Sequence, residues 1–226
     1  MRDDTWALLT TLNEADTIGR IVADLLGLID GPGLRKGVMV VDAGSTDGTQ
    51  EAAAEAGAEV KLRPGYPIRD ALLVGWQLVA RTDARYLIQL DAGGSHDPRE
   101  ALELLKVLED SGADIVIGSR FRLWSRYFGR PWRSAMSQAA ALACNVKTGA
   151  HLTDWTSGYR VFRVDALRRL VDAPYRASMH GWQIEVIGQA LALGMLVEEA
   201  PICYRAGRSS FNGRIAREAL RAWVRL

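Results

Sequence analysis

Short apolar runs alternate with stretches in which apolar residues recur every three or four positions. Trp6 to Thr10, Val38 to Val41, Glu59 to Leu62, Tyr86 to Leu90 and Ala113 to Gly118 read as buried strands. Between them, Ile18, Ile21, Val22, Leu25 and Leu26 share one helical face, as do Ile68, Leu72, Leu73, Trp76 and Val79. Thr49 to Ala56 and Arg99 to Asp110 complete the helical segments of this half. Regular alternation of strand and helix predicts an α/β fold with a mostly parallel central sheet and helices on both faces.

The pattern also says where chemistry would sit. Strands two and four end abruptly in an acid followed by small polar residues: Asp42-Ala-Gly-Ser-Thr-Asp-Gly-Thr49 and Asp91-Ala-Gly-Gly-Ser-His-Asp-Pro98. The carboxyl ends of parallel strands are where open α/β sheets bind ligands. Asp91 is therefore a candidate for chemistry, with a loop or helix cap as the plainer role. Glu14 has the same two readings, because Thr11 and Glu14 have the spacing of a capping box. Ser45, Thr46 and Asp47 can cap the following helix, and a loop of this composition can hold a nucleotide against backbone amides. It matches neither the phosphate-loop nor the Gly-x-Gly-x-x-Gly pattern.

The second half is less regular. Between Phe121 and Arg133, Trp124, Tyr127, Phe128 and Trp132 interleave with Arg122, Arg126, Arg130 and Arg133. Such a mixture suits single-stranded nucleic acid, phosphate groups or a membrane surface, or simply aromatics that cover the core. An alanine-rich helix from Ser134 to Val146, a helix from Ala166, another from Gly181 and a strand near Met195 to Val197 follow. In the tail, Phe211, Ile215, Ala219, Leu220 and Trp223 recur at helical spacing beside Arg214, Arg217, Arg221 and Arg225. This is either a basic amphipathic helix on an anionic surface or a terminal helix packed on the domain.

Composition narrows these readings. The chain has 226 residues with 48% hydrophobic and 24% charged, the size and make-up of one globular domain. A net charge of +1 argues against a protein that coats nucleic acid. Cys144 and Cys203 show no pairing pattern, and His96, His151 and His180 lack zinc spacing. No signal peptide or membrane-spanning run is visible, so a cytoplasmic protein is expected, peripheral on the membrane if bound there at all.

The order of these segments carries a resemblance. Asn13-Glu14, Val41-Asp-Ala-Gly-Ser-Thr-Asp-Gly-Thr49, Leu90-Asp-Ala-Gly-Gly-Ser-His-Asp-Pro98, Ile117-Gly-Ser-Arg120, Asp154-x-Thr-Ser-Gly-Tyr-Arg160 and Gln183-Ile-Glu185 follow in sequence. The chain resembles family-2 glycosyltransferases of the GT-A (Rossmann-like) fold, in the dolichol-phosphate mannose synthase branch, from about residue 6 to 212. The resemblance implies an inverting hexosyltransferase that takes a nucleotide sugar, typically GDP-mannose, to a dolichyl or other polyprenyl phosphate. It implies Mg²⁺ or Mn²⁺ at Asp91 and a donor site at Thr10, Leu12, Glu14, Asp42 and Asp91. Phosphate or acceptor contacts fall to Arg120, Arg133, Ser157, Arg205, Arg208 and Ser209. The expected partners are an anionic membrane surface and, in some such systems, a membrane-anchoring subunit.

Four positions depart from the family pattern. The second acid of the usual Asp-x-Asp is Gly93, so a metal would rely on Asp91, phosphates and water, with Ser95 or Asp97 as further candidates. Ala43 replaces the second acid after strand two, Leu12 the tyrosine before Asn-Glu, and Ser210 a late lysine. Another donor such as UDP-glucose, another acceptor, or a non-catalytic nucleotide-sugar-binding relative are the alternatives these changes leave.

Overall fold

β-Branched and aliphatic runs too short to form helices build the sheet, and its register decides what meets at its edge. The computed structural model describes residues 5–29, 37–178, 181–206 and 213–226. Its strands are β1 (Thr5–Thr11), β2 (Gly37–Asp42), β3 (Glu59–Leu62), β4 (Tyr86–Asp91), β5 (Ile115–Ser119), β6 (Arg126–Phe128), β7 (Arg160–Arg163), β8 (Val197–Pro201) and β9 (Cys203–Arg205). The helices are α1 (Ala15–Ile29), α2 (Thr49–Glu55), α3 (Ile68–Ala80), α4 (Ala101–Ser111), α5 (Pro131–Thr148), α6 (Val164–Leu170), α7 (Gly181–Ala192) and α8 (Gly213–Arg225). Seven strands form one sheet in the order β3-β2-β1-β4-β7-β5-β8, parallel except for β7, and β6 pairs with β9 apart from it.

Period-2 alternation sends successive side chains to opposite faces, and each face has its own core. Ala7, Leu9, Val38 and Val40 pack with Ile18, Leu25 and Leu104 under α1, α2 and α4. Leu8, Met39 and Val41 point the other way, toward Trp76, Phe162 and Trp182 on the α3, α6 and α7 side. Those three rings lie edge-on and tilted, with centroids 5.0–5.1 Å apart, and the Trp76 indole donates to Gln89 Oε1 at 2.8 Å. The chain passes from β1 to β2 on one side and returns to β4 on the other, so the β1–β4 crevice is the switch point.

Two expectations change, and the tail's two readings are decided in part. The Thr11–Glu14 capping box does not form, because tertiary partners reach the start of α1 first. Asp47 Oδ2 accepts from Ala15 N at 3.2 Å, and Thr49 Oγ1 accepts from Glu14 N at 2.9 Å. The strand expected near Met195 to Val197 runs instead over Val197–Pro201. Its two adjacent acids disguised it, yet Glu199 is buried, where it accepts hydrogen bonds from the Thr153 and Asp154 amides. The tail helix packs on the domain: Ala222 is fully buried, Trp223 Nε1 donates to Ala143 O, and Lys147 caps the Trp223 and Val224 carbonyls. Its outer face, with Leu220, Arg221 and Val224, remains exposed.

Candidate active site

Three loops meet at the carboxyl ends of β1, β2 and β4. The β1 and β2 loops are laced together. Asn13, at φ 57°, donates from its amide to Ser45 Oγ at 2.8 Å and accepts from Thr46 N at 3.0 Å. Asp42 is buried, and its Oδ1 accepts from the amides of Gly44 and Ser45 at 2.9 and 2.8 Å and from Gln50 Nε2 at 3.0 Å. Its carboxylate shapes the loop from within, while Leu12 beside it is exposed. A hydrogen bond from the Thr49 hydroxyl holds the Asp47 carboxyl below its usual range.

Register sets Thr10 opposite Asp91. The Asp91 side chain is 48% exposed, and its Oδ2 lies 3.8 Å from Nε2 of the buried His96, which is held between the Tyr159 and Tyr204 rings. Gly158 closes on the other side: a Cβ there would stand 3.3 Å from Asp91 Oδ1. Asp97 is engaged elsewhere, pairing with Arg99 through 2.7 and 2.9 Å bonds and capping the turn of 3₁₀ helix at Pro98–Glu100. Ser95 meets β9, its carbonyl accepting from Arg205 N at 2.9 Å.

Among the described residues, no three His, Cys, Asp or Glu side chains gather closely enough to hold a metal by themselves. A magnesium-type ion keeps waters and substrate phosphates in its shell and needs only one or two carboxylates. Asp91 offers one. At Gly93 a Cβ would stand 3.1 Å from Glu14 Oε1, so a second carboxylate already borders the place of the missing acid. On that geometry the residues fit a divalent ion shared with a diphosphate.

Across β5 lies a second charged centre. The Arg120 guanidinium grips buried Asp154 with both prongs, Nε to Oδ2 at 2.6 Å and Nη2 to Oδ1 at 2.8 Å, and Nη2 also reaches Thr156 Oγ1. Burial opposes the charge on both groups, but each one's field on the other wins, raising the Arg120 pKa and lowering that of Asp154. Asp154 Oδ1 also accepts from Thr156 N and Ser157 N, so this acid sets the loop that carries Ser157, itself buried. Arg205 lies over the Phe128 ring, while Arg208 and Ser209 lie outside the described residues.

Arg120 and Arg133 both line a cavity of about 500 Å³. Tyr127 and Tyr204, stacked 5.6 Å apart, form its wall nearest Asp91. The cavity continues between α5 and α8 past Met136, Ala140, Cys144, Leu220 and Trp223. From Arg133 to Cys144 that helix rises roughly 16 Å. Neither Asp154 nor the trough was singled out from sequence. Asp154 could have been, since it opens the Asp-x-Thr-Ser-Gly motif; the trough joins residues a hundred positions apart and left no local signal.

A ligand crevice at the switch point of a mostly parallel sheet with helices on both faces is the architecture of a nucleotide-binding α/β protein. The chain matches the family model described as "Glycosyl transferase family 2" over residues 6–171, and it belongs to that family. It is 30% identical over 96% of its length to polyprenol monophosphomannose synthase of Mycolicibacterium smegmatis, covering 84% of that protein. It is 29% identical over 94% of its length to undecaprenyl-phosphate mannosyltransferase of Micrococcus luteus, covering 89% of that protein. Among solved structures, glucosyl-3-phosphoglycerate synthase of Mycobacterium tuberculosis, in complex with Mn²⁺, UDP-glucose and phosphoglyceric acid, superposes with a TM-score of 0.75. That pair shares 22% identity over 99% of this chain and 79% of the other, a likeness of fold.

Proposed function

We propose that this glycosyltransferase moves mannose from GDP-mannose to a polyprenyl phosphate at a membrane surface. The cavity carries the reading: two arginines beside an apolar trough complement a phosphate head on a hydrocarbon tail, and the two mannosyltransferase relatives are named for such acceptors. A phosphate monoester is anionic at neutral pH, so its oxygen attacks the anomeric carbon without a dedicated base. The bond from that carbon to the donor's diphosphate breaks, the diphosphate leaves with the electron pair, and the centre inverts. Arg133 places the acceptor phosphate, since a planar guanidinium fork pairs with phosphate oxygens, while Arg120, its fork held by Asp154, lines the same cavity beside it. A divalent ion held at Asp91 would stabilise the charge gathering on the departing diphosphate.

The test is a transfer assay with GDP-mannose, UDP-glucose or UDP-N-acetylglucosamine and polyprenyl phosphates of graded length. GDP-mannose with a lipid phosphate should give product; product only with a soluble acceptor, or only with a UDP-sugar, overturns the reading. Ala140 lies in the trough, and Ala140→Trp fills it. Displacing two methylenes of tail costs about 1.6 kcal/mol at ~0.8 per CH₂, so KM for the lipid should rise roughly tenfold. Nucleotide binding, measured by calorimetry, should not change.

The surface around the trough supports the membrane part. No described helix is long and apolar enough to cross a bilayer. Trp124 is 85% exposed, beside exposed Leu123, and it is held at φ 77°, which strains any residue with a Cβ. Exposed Arg122, Arg126 and Arg130 surround this tip, and Leu142, Val146, Leu220 and Val224 extend the apolar surface along α5 and α8. Apolar side chains ringed by arginine suit an anionic bilayer. Leu123→Ser/Trp124→Ser should lower co-sedimentation with phosphatidylglycerol vesicles at least fivefold and leave turnover on detergent-dispersed acceptor unchanged. Undiminished sedimentation would assign the tip no membrane role.

A further inference from the structure

We infer that Glu14 supplies the second cation-binding carboxylate that Gly93 lacks, so the metal site is split between the first two loops of the switch point instead of lying within one Asp-x-Asp. The inference rests on the nucleoside-diphosphate site proposed above. Three observations meet at one place. The β1 and β4 strands are neighbours in parallel register, Thr10 against Asp91, so the turns that follow them rise side by side. The Thr17 hydroxyl donates to Ala92 O at 2.7 Å, fixing the first turn of α1 against the residue between Asp91 and Gly93. And Glu14 turns its carboxyl group into the space before Gly93, Oε1 at 3.1 Å, Cδ at 3.6 Å and Oε2 at 3.7 Å from the position of a Cβ.

An aspartate at position 93 would have its carboxyl oxygens about 2.4 Å beyond its own Cβ, a distance set by ordinary bond lengths and angles. Glu14 Oε1 and Oε2, at 3.1 and 3.7 Å from that Cβ position, lie just beyond this reach and border the same space from the β1 side of the crevice. Glycine at 93 is what admits them: any Cβ would press on Oε1 more tightly than carbon and oxygen normally approach. The exchange keeps the number of carboxylates at two, enough for an ion that takes its remaining ligands from diphosphate and water. It also explains why the loss of an acid at 93 need not leave the site without metal chemistry, and it gives Glu14 a role other than the helix cap, which Asp47 and Thr49 fill.

The experiment is calorimetric titration of GDP and of UDP into the full chain, with Mg²⁺ and with chelator, for wild type, Glu14→Gln and Glu14→Ala/Gly93→Asp. Wild type should bind one nucleotide at least tenfold more tightly with Mg²⁺. Glu14→Gln should gain less than threefold from Mg²⁺ relative to its own affinity in chelator; the double variant should recover the tenfold gain. The inference is overturned if Glu14→Gln keeps the full Mg²⁺ gain or if the double variant gains nothing. Wild type that binds nucleotide equally with and without Mg²⁺ overturns the split site and leaves the transferase reading standing. Wild type that binds neither nucleotide under any condition overturns both.

Discussion

Replacing Asp154 with asparagine is expected to cost about 3–5 kcal/mol of stability, the range for breaking a buried ion pair from one side. Asp154 is fully buried, Arg120 has a side-chain exposure of only 12%, and their paired prongs are the guanidinium's charge balance. Asparagine preserves the shape and can still accept from the loop amides, but it leaves the cation uncompensated. For a domain of this size, 1 kcal/mol moves Tm by about 2–4 °C, so the expected fall is roughly 10 °C. The pH dependence follows from the sign of the shift. The folded-state pKa of Asp154 is depressed, so its contribution is complete above the ordinary aspartate value of about 3.9 and fades as pH falls through the folded value. Wild type should therefore lose stability below about pH 4 more steeply than Asp154→Asn. A Tm change under about 2 °C would show that the pair does not hold this loop. The double replacement Arg120→Met/Asp154→Leu removes both charges but leaves the Thr156 and Ser157 amides without their acceptor, so it should regain only the part of the stability lost to the uncompensated cation, while transfer stays lost if Arg120 also serves the acceptor phosphate.

The difference between Asp154 and the strands shows what a sequence can reveal. The cores under β1, β2 and β4 were legible because burial on both faces of a parallel sheet demands uninterrupted apolar runs. The acids that end β2 and β4 stood out against those runs. What escaped detection was decided by distant partners. Glu199 made β8 look polar, although its carboxylate is satisfied by amides of a loop more than forty residues away. β6 and β9 are three residues each, too short for any period, and their pairing depends on each other. The antiparallel direction of β7 is a property of the sheet, not of Val161 and Phe162. In the tail the helical period was visible, but the sequence alone did not choose between its two readings. The structure packs Ala222 and Trp223 on the domain and leaves Leu220 and Val224 exposed.

Asp91 is the residue whose loss should affect function most and the fold least. Its strand is secured by parallel pairing with β1 and antiparallel pairing with β7, whereas its carboxylate projects, half in solvent, from the last β1 pair and beyond the last β7 pair. The buried neighbours that organise the loop reach past it: His96 is clasped by Tyr159 and Tyr204, and the Tyr159 hydroxyl donates to the Asp97 and Pro98 carbonyls at 3.2 and 3.1 Å. Asp91→Asn should therefore change Tm by less than about 2 °C, within the spread for surface substitutions of ±0.5 kcal/mol. On the proposed function, turnover depends on charge at this point, because the leaving diphosphate must be neutralised as it departs. Loss of a single preorganised electrostatic contact to a developing charge costs on the order of 10²–10³ in kcat. A fall of that size is expected, measured as sugar transfer at saturating acceptor, with the lipid's KM changing less than threefold because Arg120 and Arg133 still line its cavity. If Asp91→Asn turned over within threefold of wild type, the cation and the diphosphate would have to lie elsewhere, and the assignment of the β1–β4 crevice as the donor site would fall with them.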